Sequence, residues 1–184
     1  EMKITRRQLK NIIESYFPLE GISTQRLIYS AKPFSGFRDV QQDPFDVNRW
    51  VKKPKGLWYA CGDEWAEFAS GAGWKSRYNH LYEVELKHYE ILFIKTPEDF
   101  ERFEQMYGVK GNDRFASLSI NWPKVAQAYA GIEICPYRQD KRMSSDWYYG
   151  WDVASGCVWS SKGFAGVKEI PLEWFGHETP DYSY

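Results

Sequence analysis

The sequence predicts an α+β domain built on a mostly antiparallel sheet, split or folded into two layers, with short flanking helices. Strand patterns outnumber helix patterns along the chain, and the helices are short and segregated. The regular alternation of strand and helix that a parallel sheet needs is missing. Hydrophobic residues make up 43%, aromatics 18% and charged residues 27%, a globular composition whose core is unusually rich in large rings. A length of 184 residues fits one α+β domain over 22–184 preceded by an amphipathic helix over 1–20.

The elements follow in order. Ile4, Leu9, Ile12 and Ile13 share one side of an N-terminal helix, with Thr5 as N-cap and basic residues opposite. Its apolar stripe docks either on the domain or on a partner chain. Pro18 and Gly21 end that helix, and Arg26-Leu27-Ile28-Tyr29-Ser30 reads as a strand. The stretch from Pro33 to Pro54 carries Pro, Gly, Asp and Asn among isolated aromatics and reads as a long ordered loop. Gly56-Leu57-Trp58-Tyr59-Ala60-Cys61 is a second strand. Gly62-Asp63 turns the chain into a helix over Glu64 to Ala69, stopped by Gly71 and Gly73.

His80 to Leu86 alternates apolar and polar residues, and Ile91 to Ile94 is a continuous apolar run, so both are strands. Thr96-Pro97-Glu98-Asp99 opens a helix reaching about Tyr107, with a cap, a proline in the first turn and acids near the N-terminus. Asn121-Trp122-Pro123-Lys124 repeats the device, and Gly131 then leads into strand Ile132 to Cys135. The last third supplies strands near Trp147 to Trp151, Cys157 to Trp159 and Val167 to Leu172.

Composition also excludes some functions. A net charge of -1 gives no global reason to bind nucleic acid or an anionic membrane, and Lys52-Lys53-Pro54-Lys55 reads as a solvated loop. No apolar run approaches the ~20 residues of a spanning helix. Cys61, Cys135 and Cys157 are widely spaced and odd in number, so they read as buried thiols in a reducing, cytoplasmic setting. His80, His88 and His177 lack ligand spacing, and no C-x-x-C or H-E-x-x-H occurs, so no metal is expected. P-loop, dinucleotide-fold and G-x-S-x-G signatures are absent too.

Candidate chemistry lies on three strands: Arg26 and Tyr29 on the first, Trp58 and Tyr59 on the second, and Glu133 on a later one. Gly56-Leu57-Trp58-Tyr59-Ala60 with its following helix is similar to a strand and helix of the poly(ADP-ribose) polymerase branch of the ADP-ribosyltransferase fold. Arg26-Leu27-Ile28-Tyr29-Ser30 is similar to that family's first strand. The resemblance covers residues 22 to 160, and it departs at the first strand, where Tyr29 or Ser30 stands in place of the family's histidine. The aromatic tail and basic N-terminal helix also resemble small proteins of phages and bacteria. What the resemblance implies is NAD as substrate and transfer of ADP-ribose to a macromolecular acceptor, protein or nucleic acid, in the cytoplasm of a cell or of a phage's host.

Breaking the bond between nicotinamide and ribose passes through an oxocarbenium-like state, so such a site needs an anion near the sugar and a flat pocket for the leaving ring. Glu133 and Tyr59 are the candidate catalytic residues. Arg26, Tyr29, Ser30, Trp58 and Tyr59 are candidate NAD contacts, with Arg38 a further candidate for the pyrophosphate. Strand alternation lets only one of Trp58 and Tyr59 face a cleft. Glu133 is equally consistent with a solvent-facing strand residue, and Asp152 is a second candidate acid. The alternative function is a non-catalytic module whose aromatic cleft holds a ligand, peptide or base, as in a phage-associated interaction protein. A third is a nuclease using Glu133 and Asp152 with magnesium. In each case Trp147 to Trp159 reads mainly as scaffold, with Trp151 and Asp152 the members placed to touch ligand.

Overall fold

Seven strands form one curled sheet, described by a computed structural model over residues 25–45, 53–74, 77–111 and 117–172. The strands are β1 (Arg26–Ser30), β2 (Leu57–Cys61), β3 (His80–Leu86), β4 (Ile91–Ile94), β7 (Gly131–Ile134), β8 (Ser155–Val158) and β9 (Phe164–Ile170), in the order β4-β7-β8-β2-β1-β3-β9. A separate pair, β5 (Gly108–Lys110) and β6 (Leu118–Ile120), stands apart. The described helices are α1 (Glu64–Gly71), α2 (Pro97–Tyr107) and α3 (Trp122–Ala128). The expected α+β class with a mostly antiparallel sheet holds. The expected split does not, since seven of the strands belong to one sheet. The predicted N-terminal helix lies outside the described residues.

Among the described residues only β4 and β7 pair in parallel, and α2, the β5–β6 pair and α3 lie on the long crossover that a parallel connection requires. Helix α2 starts as its sequence dictates. The Thr96 hydroxyl accepts from the Asp99 N–H, while the Asp99 carboxylate accepts from the Thr96 N–H. Asn121 caps α3 by accepting from the Lys124 N–H. Asp63 stands at the N-cap position of α1 without making a side-chain cap bond.

Register decides what each face carries. Glu133, Gly156 and Tyr59 lie in one row across β7, β8 and β2, and Ile132, Cys157 and Trp58 lie in the next. Because successive residues point to opposite faces, these rows are on opposite sides of the sheet. The inner face of the curl packs Ile28, Tyr59, Tyr82, Val84, Ile91 and Val158, covered by Phe34 and Phe37 of the loop after β1. Phe37 stacks on Phe164 at 4.5 Å. The outer face packs Ile132, Ile134 and Cys157 against Phe100 and Phe103 of α2, Trp122 and Val125 of α3, and Trp147, Tyr148 and Trp151.

Two sequence expectations are corrected. Trp147 to Trp151 is a run of turns, in which the Tyr148 N–H bonds the Ser145 carbonyl and the Trp151 N–H the Tyr148 carbonyl. This winding turns Trp147, Tyr148 and Trp151 all inward, where a strand would alternate them. Cys61 and Cys135 are joined as a disulfide, leaving Cys157 as the buried thiol. Cys61 is on β2 and Cys135 follows β7, two strands away, and the small Ala154 lies between them in the extended register.

Candidate functional site

The three strand positions singled out from sequence split between the two faces. On the inner face, Glu133 is 6% exposed and is gripped from both sides. Arg26 donates Nε to Oε2 at 2.5 Å and Nη2 to Oε1 at 3.1 Å, and the Tyr59 hydroxyl donates to Oε2 at 3.0 Å. Burial opposes the Arg26 charge, but the Glu133 carboxylate outweighs it and the guanidinium is held above its ordinary range. Burial, then the Glu133 charge, push the Tyr59 phenol well above its usual value, so it stays a protonated donor.

Gly156 makes this arrangement possible. The Tyr59 ring crosses β8 directly above it to reach Glu133, and a β-carbon there would fall on the Tyr59 hydroxyl and ring. Gly156→Ala should therefore displace the ring, break its bond to Glu133 and cost about 1–3 kcal/mol of stability. Chemical denaturation of the variant measures this; an unchanged midpoint would show that the ring does not need the glycine.

On the outer face Tyr29, Trp58 and Ala60 border a cavity of about 260 Å³, with Leu27, Lys53, Tyr59, Trp65, Tyr78, Asp152, Val153 and Ser155 completing its lining. Its walls are ring faces: Tyr29 meets Tyr78 edge-on at 6.0 Å, and the back of Trp58 rests edge-on against Trp151 at 4.8 Å. Its polar groups are few. Lys53 Nζ sits 5.1 Å above the Trp58 ring and 4.0 Å from Asp152, whose other oxygen is 3.7 Å from Arg142. Burial lowers the Lys53 ammonium from its ordinary range, and the Asp152 charge works against that shift. Burial and the Asp63 carboxylate push the Tyr29 phenol up to about 12, which keeps it a neutral hydroxyl.

The structure thus brings Arg26, Tyr59 and Glu133 into one buried cluster, and Tyr29 and Trp58 into the cavity with Asp152 on the other side. Ser30 joins neither: its hydroxyl donates to the Lys32 carbonyl. Arg38 is exposed in the loop after β1. Trp151 is fully buried behind Trp58, so of the two residues flagged in the aromatic stretch only Asp152 lines the cavity. Glu133 and Asp152 lie on opposite faces of the sheet, which denies them the shared magnesium ion that a nuclease would need. Cys157 is fully buried, and burial pushes its thiol upward, away from the thiolate a nucleophile needs.

Lys53, Trp65 and Tyr78 line the cavity without any mark of it in the sequence. Trp65 was legible only as a member of a helix after β2, and the other two precede strands in irregular segments. No family model, curated protein or solved structure matches this chain.

Proposed function

We propose that the chain is an ADP-ribosyltransferase-like protein that receives the nicotinamide end of NAD in the outer-face cavity. The observation that carries this reading is the meeting of Tyr29 from the first strand, Trp58 from the second and a carboxylate, Asp152, around one ring-walled space. The acid role moves with it from Glu133 to Asp152, since Glu133 is buried on the far face with both oxygens engaged. Pockets that enclose a whole drug-sized ligand measure roughly 300–1,000 Å³. A space of about 260 Å³ suits one ring and its first attachment, with the rest of a dinucleotide outside.

Each lining group then has a chemical task. Trp58 and Trp65 offer faces for stacking, and the neutral Tyr29 hydroxyl is a hydrogen-bond donor for an amide. The Asp152 carboxylate places negative charge where a ribosyl cation would develop. Lys53, beside Asp152, is suited to the nearer phosphate.

A second reading, binding without turnover, is favoured by one observation. Asp152 already faces two cations, Lys53 at 4.0 Å and Arg142 at 3.7 Å, and a neutralised acid stabilises a developing cation less. Titration of intrinsic tryptophan fluorescence with NAD, nicotinamide and ADP-ribose, beside assays with labelled NAD and a cell lysate, tests both. NAD and nicotinamide should quench, and Trp58→Ala should weaken binding about tenfold or more, since stacking on one ring is worth roughly 1–3 kcal/mol. Asp152→Asn should bind NAD yet lose turnover. Binding with no turnover by the unaltered protein selects the second reading, and absence of NAD binding removes the first.

A further inference from the structure

The inner face holds a second constellation, independent of the cavity. Cys61 Sγ, Cys135 Sγ and a Glu133 carboxylate oxygen lie within 4.8 Å of one another, and all three residues are buried. In the structure the sulfurs are bonded to each other, joining positions 74 residues apart. A dithiol, which leaves as its own disulfide, or a phosphine with water, which leaves as the phosphine oxide, supplies the two electrons and two protons that convert that bond to two thiols. Deprotonated, these are two soft thiolates beside one carboxylate, three of the four donors of a tetrahedral thiophilic cation, with water able to take the fourth place.

We propose that the reduced form of this chain binds one divalent thiophilic cation, of the Zn²⁺ class, through Cys61, Cys135 and Glu133, so that disulfide and metal are alternative occupants of one place. Three features argue for it. The first is that the ligand positions are fixed without the S–S bond: β8 pairs with both β2 and β7, and the Cys61 N–H bonds the Ala154 carbonyl at 2.9 Å. Sulfurs freed by reduction therefore stay close. The second is that Glu133 and Cys135 are two residues apart along one strand direction and so share a face.

Charge is the third. Two thiolates and a carboxylate are balanced by a divalent cation together with the Arg26 guanidinium, leaving the buried group neutral, as the disulfide and the Arg26–Glu133 pair leave it in the oxidised state. Glu133 Oε2 accepts from both Arg26 and Tyr59, whereas Oε1 accepts from Arg26 alone among the described residues. Oε1 is accordingly the oxygen with a lone pair for metal, and Arg26 and Tyr59 orient the ligating carboxylate from behind. No metal-ligand spacing marks this site in the sequence, because its donors come from distant segments and none is histidine.

The test is cobalt titration of the full chain, reduced with a phosphine and kept free of oxygen. Thiolate-to-cobalt absorption in the near ultraviolet and tetrahedral bands in the visible should saturate at one equivalent and vanish when Zn²⁺ is added. The oxidised protein should show neither. Cys61→Ser and Cys135→Ala should abolish the bands, Cys157→Ser should retain them, and Glu133→Gln should weaken binding about tenfold or more. Zn²⁺ should also raise the melting temperature of the reduced wild type, a readout that needs no variant to fold. Absence of bands in the reduced wild type overturns the proposal, as does their survival in folded Cys61→Ser and Cys135→Ala proteins, with circular dichroism establishing the fold.

Discussion

Arg26→Met will lower stability by about 3–5 kcal/mol, measured by urea or guanidinium unfolding, because it leaves the Glu133 carboxylate buried with the Tyr59 hydroxyl as its sole side-chain donor among the described residues. The side chains of the pair are only 13% and 7% exposed, so salt should change the loss little. Removing the charges together should behave differently. Buried ion pairs replaced by apolar groups of similar volume are often neutral or stabilising. Tyr59 would then lack its acceptor, at a cost of about 1–3 kcal/mol, so Tyr59→Phe belongs in the same variant. The triple variant Arg26→Met, Glu133→Leu, Tyr59→Phe is expected within about 2 kcal/mol of the wild type. If it proves as unstable as Arg26→Met alone, the cluster's cost lies in packing and the electrostatic account fails. The same variant separates the faces functionally: ring binding in the outer cavity should survive it, because Trp58, Trp65 and Asp152 are untouched and Tyr59→Phe, at a residue bordering the cavity, removes only the hydroxyl bonded to Glu133.

Local chemistry was readable, and cross-strand geometry was not. The boundaries of Arg26–Ser30 and of the helix beginning at Pro97 follow from alternation, from the Thr96 and Asp99 capping box and from the proline in the first turn. Each of these is a property of neighbouring residues. Which of Trp58 and Tyr59 faces the cavity depends instead on the pairing of β2 with β8, and only Gly156 leaves room for a ring on the inner side. Glu133 is a candidate from the order of the strand segments, yet its partners Arg26 and Tyr59 are set by three strands meeting. The Cys61–Cys135 bond was hidden for the same reason, since an odd cysteine count says nothing of which two positions the sheet brings together. The β5–β6 pair escaped notice because three-residue strands are too short to display a period.

Trp147→Ala is expected to cost about 3–5 kcal/mol, the range for deleting a large buried aromatic. Trp147 is fully buried and stacks on Phe100 at 5.2 Å, with Phe103 at 5.3 Å and Trp122 edge-on at 5.9 Å. Its indole N–H donates to Glu104 Oε1 at 2.8 Å. Trp147→Phe keeps a ring in contact and should lose less, and Glu104→Gln, which replaces a charged acceptor by a neutral one, should cost only about 1 kcal/mol. Tyr149→Ala is the surface control, since Tyr149 is 49% exposed, and a change of about 0.5 kcal/mol or less is expected there. The series has a functional consequence as well. Trp147 contacts Trp151 edge-on at 6.1 Å, and Trp151 backs Trp58, whose face lines the cavity. Loss of the Trp147 ring therefore lets Trp151 relax inward and withdraws support from Trp58. Under conditions where Trp147→Ala remains folded, it should weaken binding of a flat ring without touching it, and Glu104→Gln should not. Equal affinities for wild type and Trp147→Ala would mean that Trp58 holds its position without this aromatic column.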